Sequence, residues 1–167
     1  DNQVTDRVRK LRDCRSFIGY DSSSVALKLA EDVQVGGKYA AATAPVRAYA
    51  MAWCARVLID KRAEAAQNLI ESAKALDDTL ESVLQAHSLL IGATDKSAAM
   101  RIIAHCRSKE SMTTRYLIQR RAATNETPEA AGVKWFKAAG VEIADFDEEG
   151  HGLILQDLMH VQNWEKA

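Results

Sequence analysis

The chain has 167 residues, 47% of them hydrophobic and 27% charged, with a net charge of −1 at pH 7. That is the length of one domain with a sizeable core, and the composition excludes both a disordered chain and a partner chosen by bulk charge alone. Its longest fully apolar runs are only a few residues, too short for a membrane span.

Alanine is abundant, aromatics make up 6%, and two prolines and eight glycines punctuate the chain, which favours helices packed through small side chains. The first segment, from Val4 to Ile18, sets Val8, Leu11 and Arg15 at helical spacing and ends at Gly19-Tyr20-Asp21. Ser22 to Ser24 offer capping hydroxyls for a second helix from about Val25 to Val35, stopped by Gly36-Gly37. A third helix runs from about Pro45 to Asp60, because proline fits a first turn that needs no backbone donor. Further helices are expected at Ala63 to Leu76, Leu80 to Ile91 and Lys96 to Ser108. Ser111 and Thr113 begin the next, to about Ala123, and Thr127-Pro128-Glu129 begins one that Gly140 ends. The remaining stretch, VEIADFDEEGHGLIL, reads as helix-loop-helix with a short last helix, a β-hairpin being the alternative. The expectation is a single all-α domain over 1–167, with about six to seven helices in antiparallel pairs. N-terminal helices occupy 1–42, a helix-hairpin core 43–140 and an acidic segment 141–167.

The helix pairs recur with a period. Ala66, Ala99 and Ala131 are 33 and 32 residues apart, and seven residues after each stands a small residue, Ala73, Cys106 or Ala138. Four after each stands a large apolar one, Ile70, Ile103 or Trp135. Over roughly 47–140 this resembles the tetratricopeptide repeat, a helix pair of about 34 residues. The family also places a small residue at the eighth position of each unit. Cys54 fits that requirement, whereas His87 and Gln119 depart from it. A short repeat array and a plain helical bundle both satisfy the spacing.

Charge is unevenly placed. Arg101 to Arg121 holds six basic residues and one acidic, whereas Glu142 to Asp157 holds six acidic residues and none that is basic. No phosphate-cradling glycine loop, HExxH or nucleophile elbow is present. His105 and Cys106 are adjacent, so on a helix they point about 100° apart and cannot form a local nucleophile–base pair. The chain therefore leans away from an enzyme, and no cofactor is expected. Three widely spaced cysteines without a CxxC point to a reducing, cytoplasmic setting. The opening at Asp1 carries no charged-then-apolar leader, and a processed terminus remains open.

Three binding readings follow. Paired helices present grooves for a partner helix or peptide. Arg115, Arg120, Arg121 and Trp164 are its candidate contacts, the partner being another protein or a second copy of the chain. Trp53 and Trp135 lie on apolar faces and read as core. Nucleic acid is the second reading, with Arg7, Arg9, Lys10 and Arg12 on the first helix available to neutralise phosphates. A metal-dependent activity is the third, at Asp145, Asp147, Glu149 and His151. There FDEEGHGLILQDL resembles an EF-hand loop in two frames, starting at Asp147 or Asp145. The twelfth position, where a bidentate Glu is needed, is Leu158 in one frame and Gln156 in the other. Asp157 and His160, three apart, form a further two-ligand fragment.

Overall fold

The computed structural model describes residues 2–15 and 21–166, of Arg15 only the backbone. The expected helix end at Ile18 and the break at Gly19-Tyr20 lie outside the described residues. The fold is all-α, a helical bundle. Nine α-helices occur among the described residues, more than the six or seven expected: α1 (Asn2–Arg15), α2 (Ser22–Val33), α3 (Ala44–Leu58), α4 (Ala63–Leu76), α5 (Glu81–Gly92), α6 (Lys96–Ile102), α7 (Lys109–Arg121), α8 (Pro128–Ala138) and α9 (Glu148–Glu165). A 3₁₀ turn, Ile143–Asp145, precedes α9. No strand occurs among the described residues, so the hairpin alternative is not realised.

The chain groups into two compact units, Asp1–Leu90 and Ile91–Ala167, and the division falls within α5. In the first unit α3 packs against α1, α2 and α4. It is buried almost all round, from Ala48 through Trp53, Cys54 and Ala55 to Leu58, as a central helix must be. Four buried alanines along α3 let the neighbouring backbones come close. α1 contributes Val4, Val8 and Leu11, one stripe at helical spacing, and α4 contributes Ala66, Leu69, Ile70 and Ala73.

Capping residues fix most helix starts, and two differ from the sequence reading. Asp21, rather than a serine of 22–24, caps α2 by accepting from the Ser23 N–H at 3.0 Å. Ser108, rather than Ser111, caps α7, accepting from the Ser111 N–H at 3.1 Å. α6 stops at Ile102 rather than Ser108, and Arg115 holds two carbonyls just beyond its end. Its Nη2 donates to Ile103 O at 2.7 Å and to Cys106 O at 2.8 Å. α8 begins as expected, with Thr127 accepting from the Ala130 N–H and Pro128 in the first turn, and Gly140 follows it at φ +67.

In the second unit α7 packs against α6, α8 and α9. The core cluster is Tyr116, Phe146 and Ile154, with Trp135, Phe136, Val141 and Leu153 packed around it. Tyr116, Trp135 and Phe146 meet edge to face with ring centroids 6.4 Å apart, the arrangement aromatic quadrupoles prefer. α7 also buries many polar groups, including Thr113, Thr114, Arg115 and Gln119. The last helix, expected to be short, has 18 residues.

Candidate interaction surface

α9 is anchored at its beginning and bare at its end. Asp147 caps it, accepting from the Gly150 N–H at 2.9 Å and from the Thr113 hydroxyl at 2.6 Å. Gly150 lies where a Cβ would press on Thr113 Oγ1 and come within 3.0 Å of Phe146 Cβ, so the helix sits tightly on α7. Ile154 and Asp157 continue the buried face one and two turns later. Beyond Leu158 the helix runs on to Glu165 with Val161 half-buried and its other residues exposed.

Two apolar surfaces result. Leu155 and Met159 are 49% and 64% exposed and share one face at i, i+4 spacing. Trp164, 71% exposed, lies about 140° round the helix from Met159. With His160 and Val161 it borders a groove of about 360 Å³, closed by Thr127 and Ala130 at the start of α8 and by Glu165. The His160 and Trp164 rings are tilted against each other, centroids 6.1 Å apart. Leu155 and Met159 escaped the sequence reading, although they lie one position off Ile154 and Leu158, which pack toward the core and were the available signal.

The arginines predicted on α7 separate into different roles. Arg115 is buried and holds the carbonyls after α6, so it is no surface contact. Arg120 is held between Asp157, with Nε 2.9 Å from Oδ2, and Glu129 at 3.6 Å. Arg121 is half-buried in the last turn of α7, where a cation complements the helix dipole. Of the four predicted contacts only Trp164 stands out on the surface.

On α1, Arg7, Arg9 and Lys10 are exposed. Arg9 pairs with Asp6 at 2.9 Å, and the Arg7 guanidinium near the Tyr39 hydroxyl lowers the Tyr39 pKa. Arg12 turns inward: its Cζ is 4.2 Å from the Trp53 ring centroid, and that of Arg56 is 4.3 Å from the same centroid. Trp53, read as core, is buried, and Arg12 is part of what covers it.

The metal candidates do not converge. Asp147 is a helix cap, Asp145 Oδ2 accepts from the Glu142 N–H at 2.9 Å, and Glu149 is exposed in the first turn of α9. His151 Nε2 is shielded and without a hydrogen-bond partner. The calcium-loop reading is corrected by the helix itself. From Glu148 onward the backbone is helical, so the carbonyl needed at the seventh position is turned along the helix axis. Asp157 and His160 part in the same way, Asp157 toward Tyr116 and Arg120 and His160 toward Trp164. Among the described residues, no three His, Cys, Asp or Glu side chains are placed to hold a metal ion. No helix among them is long and apolar enough to cross a membrane.

Comparison with protein-family models, with curated proteins and with solved structures gave no significant match.

Proposed function

We propose that the chain is a non-enzymatic helical interaction module whose partner is a helix or extended peptide of another protein, docked along the C-terminal half of α9. The observation that carries this reading is Trp164, a large anchor 71% exposed at the edge of an apolar groove bordered by Val161 and Ala130. Amphipathic tryptophans in such settings dominate interface energetics when a partner removes them from water. Leu155 and Met159 form a separate exposed apolar face of the same helix, outside this groove. Within the Ile91–Ala167 unit, the packing of α8 and α9 on α7 supports that groove. Cys14, Cys54 and Cys106, none of them in a disulfide, accord with work in a reducing compartment such as the cytoplasm.

The test is selection of helical and extended peptides from a displayed library, followed by titration against the full chain and its Trp164→Ala variant. Selected peptides are expected to quench or shift Trp164 fluorescence, and the variant to bind at least about thirtyfold more weakly, as for a hot spot of ≥ ~2 kcal/mol. Peptides that bind the variant as well as the parent chain would remove Trp164 from the interface and overturn the reading. Sedimentation at high concentration tests the other occupant: concentration-dependent dimers lost on Trp164→Ala would make the partner a second copy.

A further inference from the structure

A second concavity lies in the Ile91–Ala167 unit, formed by the last turn of α7, the loop over 122–127 and α8. It has a volume of about 330 Å³, within the range of small-ligand sites. Gln119 from α7, Trp135 and Lys134 from α8 and Lys96 from α6 line it, over a floor that includes Ala131.

Gln119 is the residue that asks for an explanation. It is only 8% exposed, yet its amide forms no hydrogen bond among the described residues and is not one of the side-chain groups sealed from solvent. Its polar end therefore opens into the pocket it lines. A primary amide offers two donors and an acceptor, and here they face the open pocket instead of a protein group. Nothing in the fold supplies the pair.

The surrounding chemistry narrows what would. Lys96 and Lys134 form no ion pair among the described residues, and Glu126 is the one carboxylate lining the pocket against these two ammoniums. Trp135 gives an aromatic wall whose indole N–H is likewise without a hydrogen bond among the described residues. An occupant thus meets a donor–acceptor amide at the buried end, apolar surface along its body and positive charge at the mouth.

We propose that this pocket binds a small organic anion bearing a planar hydrogen-bonding group, an amide or a heteroaromatic edge. The planar group pairs with the Gln119 amide beside Trp135, and the anionic oxygens reach Lys96 and Lys134. This site shares no residue with the α9 groove, so the two readings stand or fall separately.

Two probes carry the chemistry: hippurate, with a ring, an amide and a carboxylate, and adenosine monophosphate, with a purine edge and a phosphate. Benzamide, which lacks the anion, is the comparison. Each is titrated into the full ¹⁵N-labelled chain while the Gln119 side-chain amide and the Trp135 indole N–H resonances are followed, the latter serving for the Gln119 variant. The expected result is a saturable shift of those resonances by at least one anionic probe, with benzamide binding at least roughly tenfold more weakly. Gln119→Leu is expected to abolish binding, and Lys134→Met to weaken it by roughly tenfold. The leucine replaces an unpaired buried amide by an apolar group of similar size, so it should fold; the exposed Lys134→Met variant carries the test if it does not. Absence of a saturable shift with both anions, equal binding of benzamide, or binding indifferent to the variants overturns the proposal.

Discussion

Tyr116 donates its hydroxyl to Asp157 Oδ2 at 2.6 Å, tying the middle of α7 to the middle of α9 across 41 residues of sequence. Arg120 Nε approaches the same oxygen at 2.9 Å, so a buried carboxylate is met by a phenol and a guanidinium together. Burial first, and then the Asp157 partner, push the Tyr116 pKa well above its ordinary value. The phenol is therefore a fixed donor across the physiological range.

Removing the carboxylate affects two partners. Asp157→Ala should lower stability by about 3 kcal/mol, because it leaves the Tyr116 hydroxyl without its acceptor and the Arg120 charge with only Glu129, at 3.6 Å. Tyr116→Phe removes one hydrogen bond and should cost about 1–2 kcal/mol. Urea denaturation of both variants and of the double variant measures the coupling. Effects that simply add would show that the two groups act independently.

Glycines in the same unit give a graded test. A Cβ on Gly132 would lie 2.7 Å from Tyr116 Cζ and 2.8 Å from its oxygen, and that ring is held by Asp157. Gly132→Ala should therefore destabilise by about 1–3 kcal/mol despite alanine's higher helix propensity. At Gly152, also helical, an added methyl meets nothing within 4 Å. Gly152→Ala should stabilise by about 0.5–1 kcal/mol. Thermal melts of the pair should move in opposite directions.

Burial pushes the Cys54 thiol up to about 12. At pH 8 only roughly one part in ten thousand would be thiolate, the reactive form. Iodoacetamide labelling followed by peptide mapping should find Cys54 unmodified in the native chain and modified after unfolding. Fast native labelling of Cys54 would contradict the packing of α3.

His87 provides a pH dependence. Burial, with help from the nearby Lys74 charge, lowers its pKa below the usual 6.5. The neutral ring is thus favoured in the folded state, and above 6.5 neither state is protonated, so the residue contributes nothing there. As pH falls through 6.5 the unfolded chain takes up a proton that the folded chain refuses, and stability declines. Urea titrations at pH 7.5 and 5.5 should show a smaller loss for His87→Gln than for the parent chain.

Local chemistry made most helices legible. Thr127-Pro128 marks a start, Gly140 a stop, and Val4, Val8 and Leu11 one buried stripe, because caps, backbone freedom and periodicity act over a few residues. Ala66, Ala99 and Ala131, singled out for their spacing, are all buried, though burial alone does not distinguish a repeat array from a plain bundle. Capping was misjudged where several candidates stood together, as at Asp21 against Ser22–Ser24, since the choice depends on backbone angles at the entry.

The α9 surface and the Gln119 pocket were less legible. Arg115, Arg120 and Arg121 look alike as letters. What separates them is which carbonyls or carboxylates the fold brings near, and those come from as far as 37 residues away. Phe146 to Leu158 carries the acids and glycines of a loop. The packing of Ile154 and Asp157 against α7 is what makes Glu148–Glu165 a helix. By itself, then, the sequence determined an all-α chain, its breaks and most of its caps, through interactions confined to single turns. Only the tertiary structure decided which polar residues are consumed inside and which, Trp164 among them, are left facing water. That choice rests on contacts between helices distant in the chain, and local spacing does not record them.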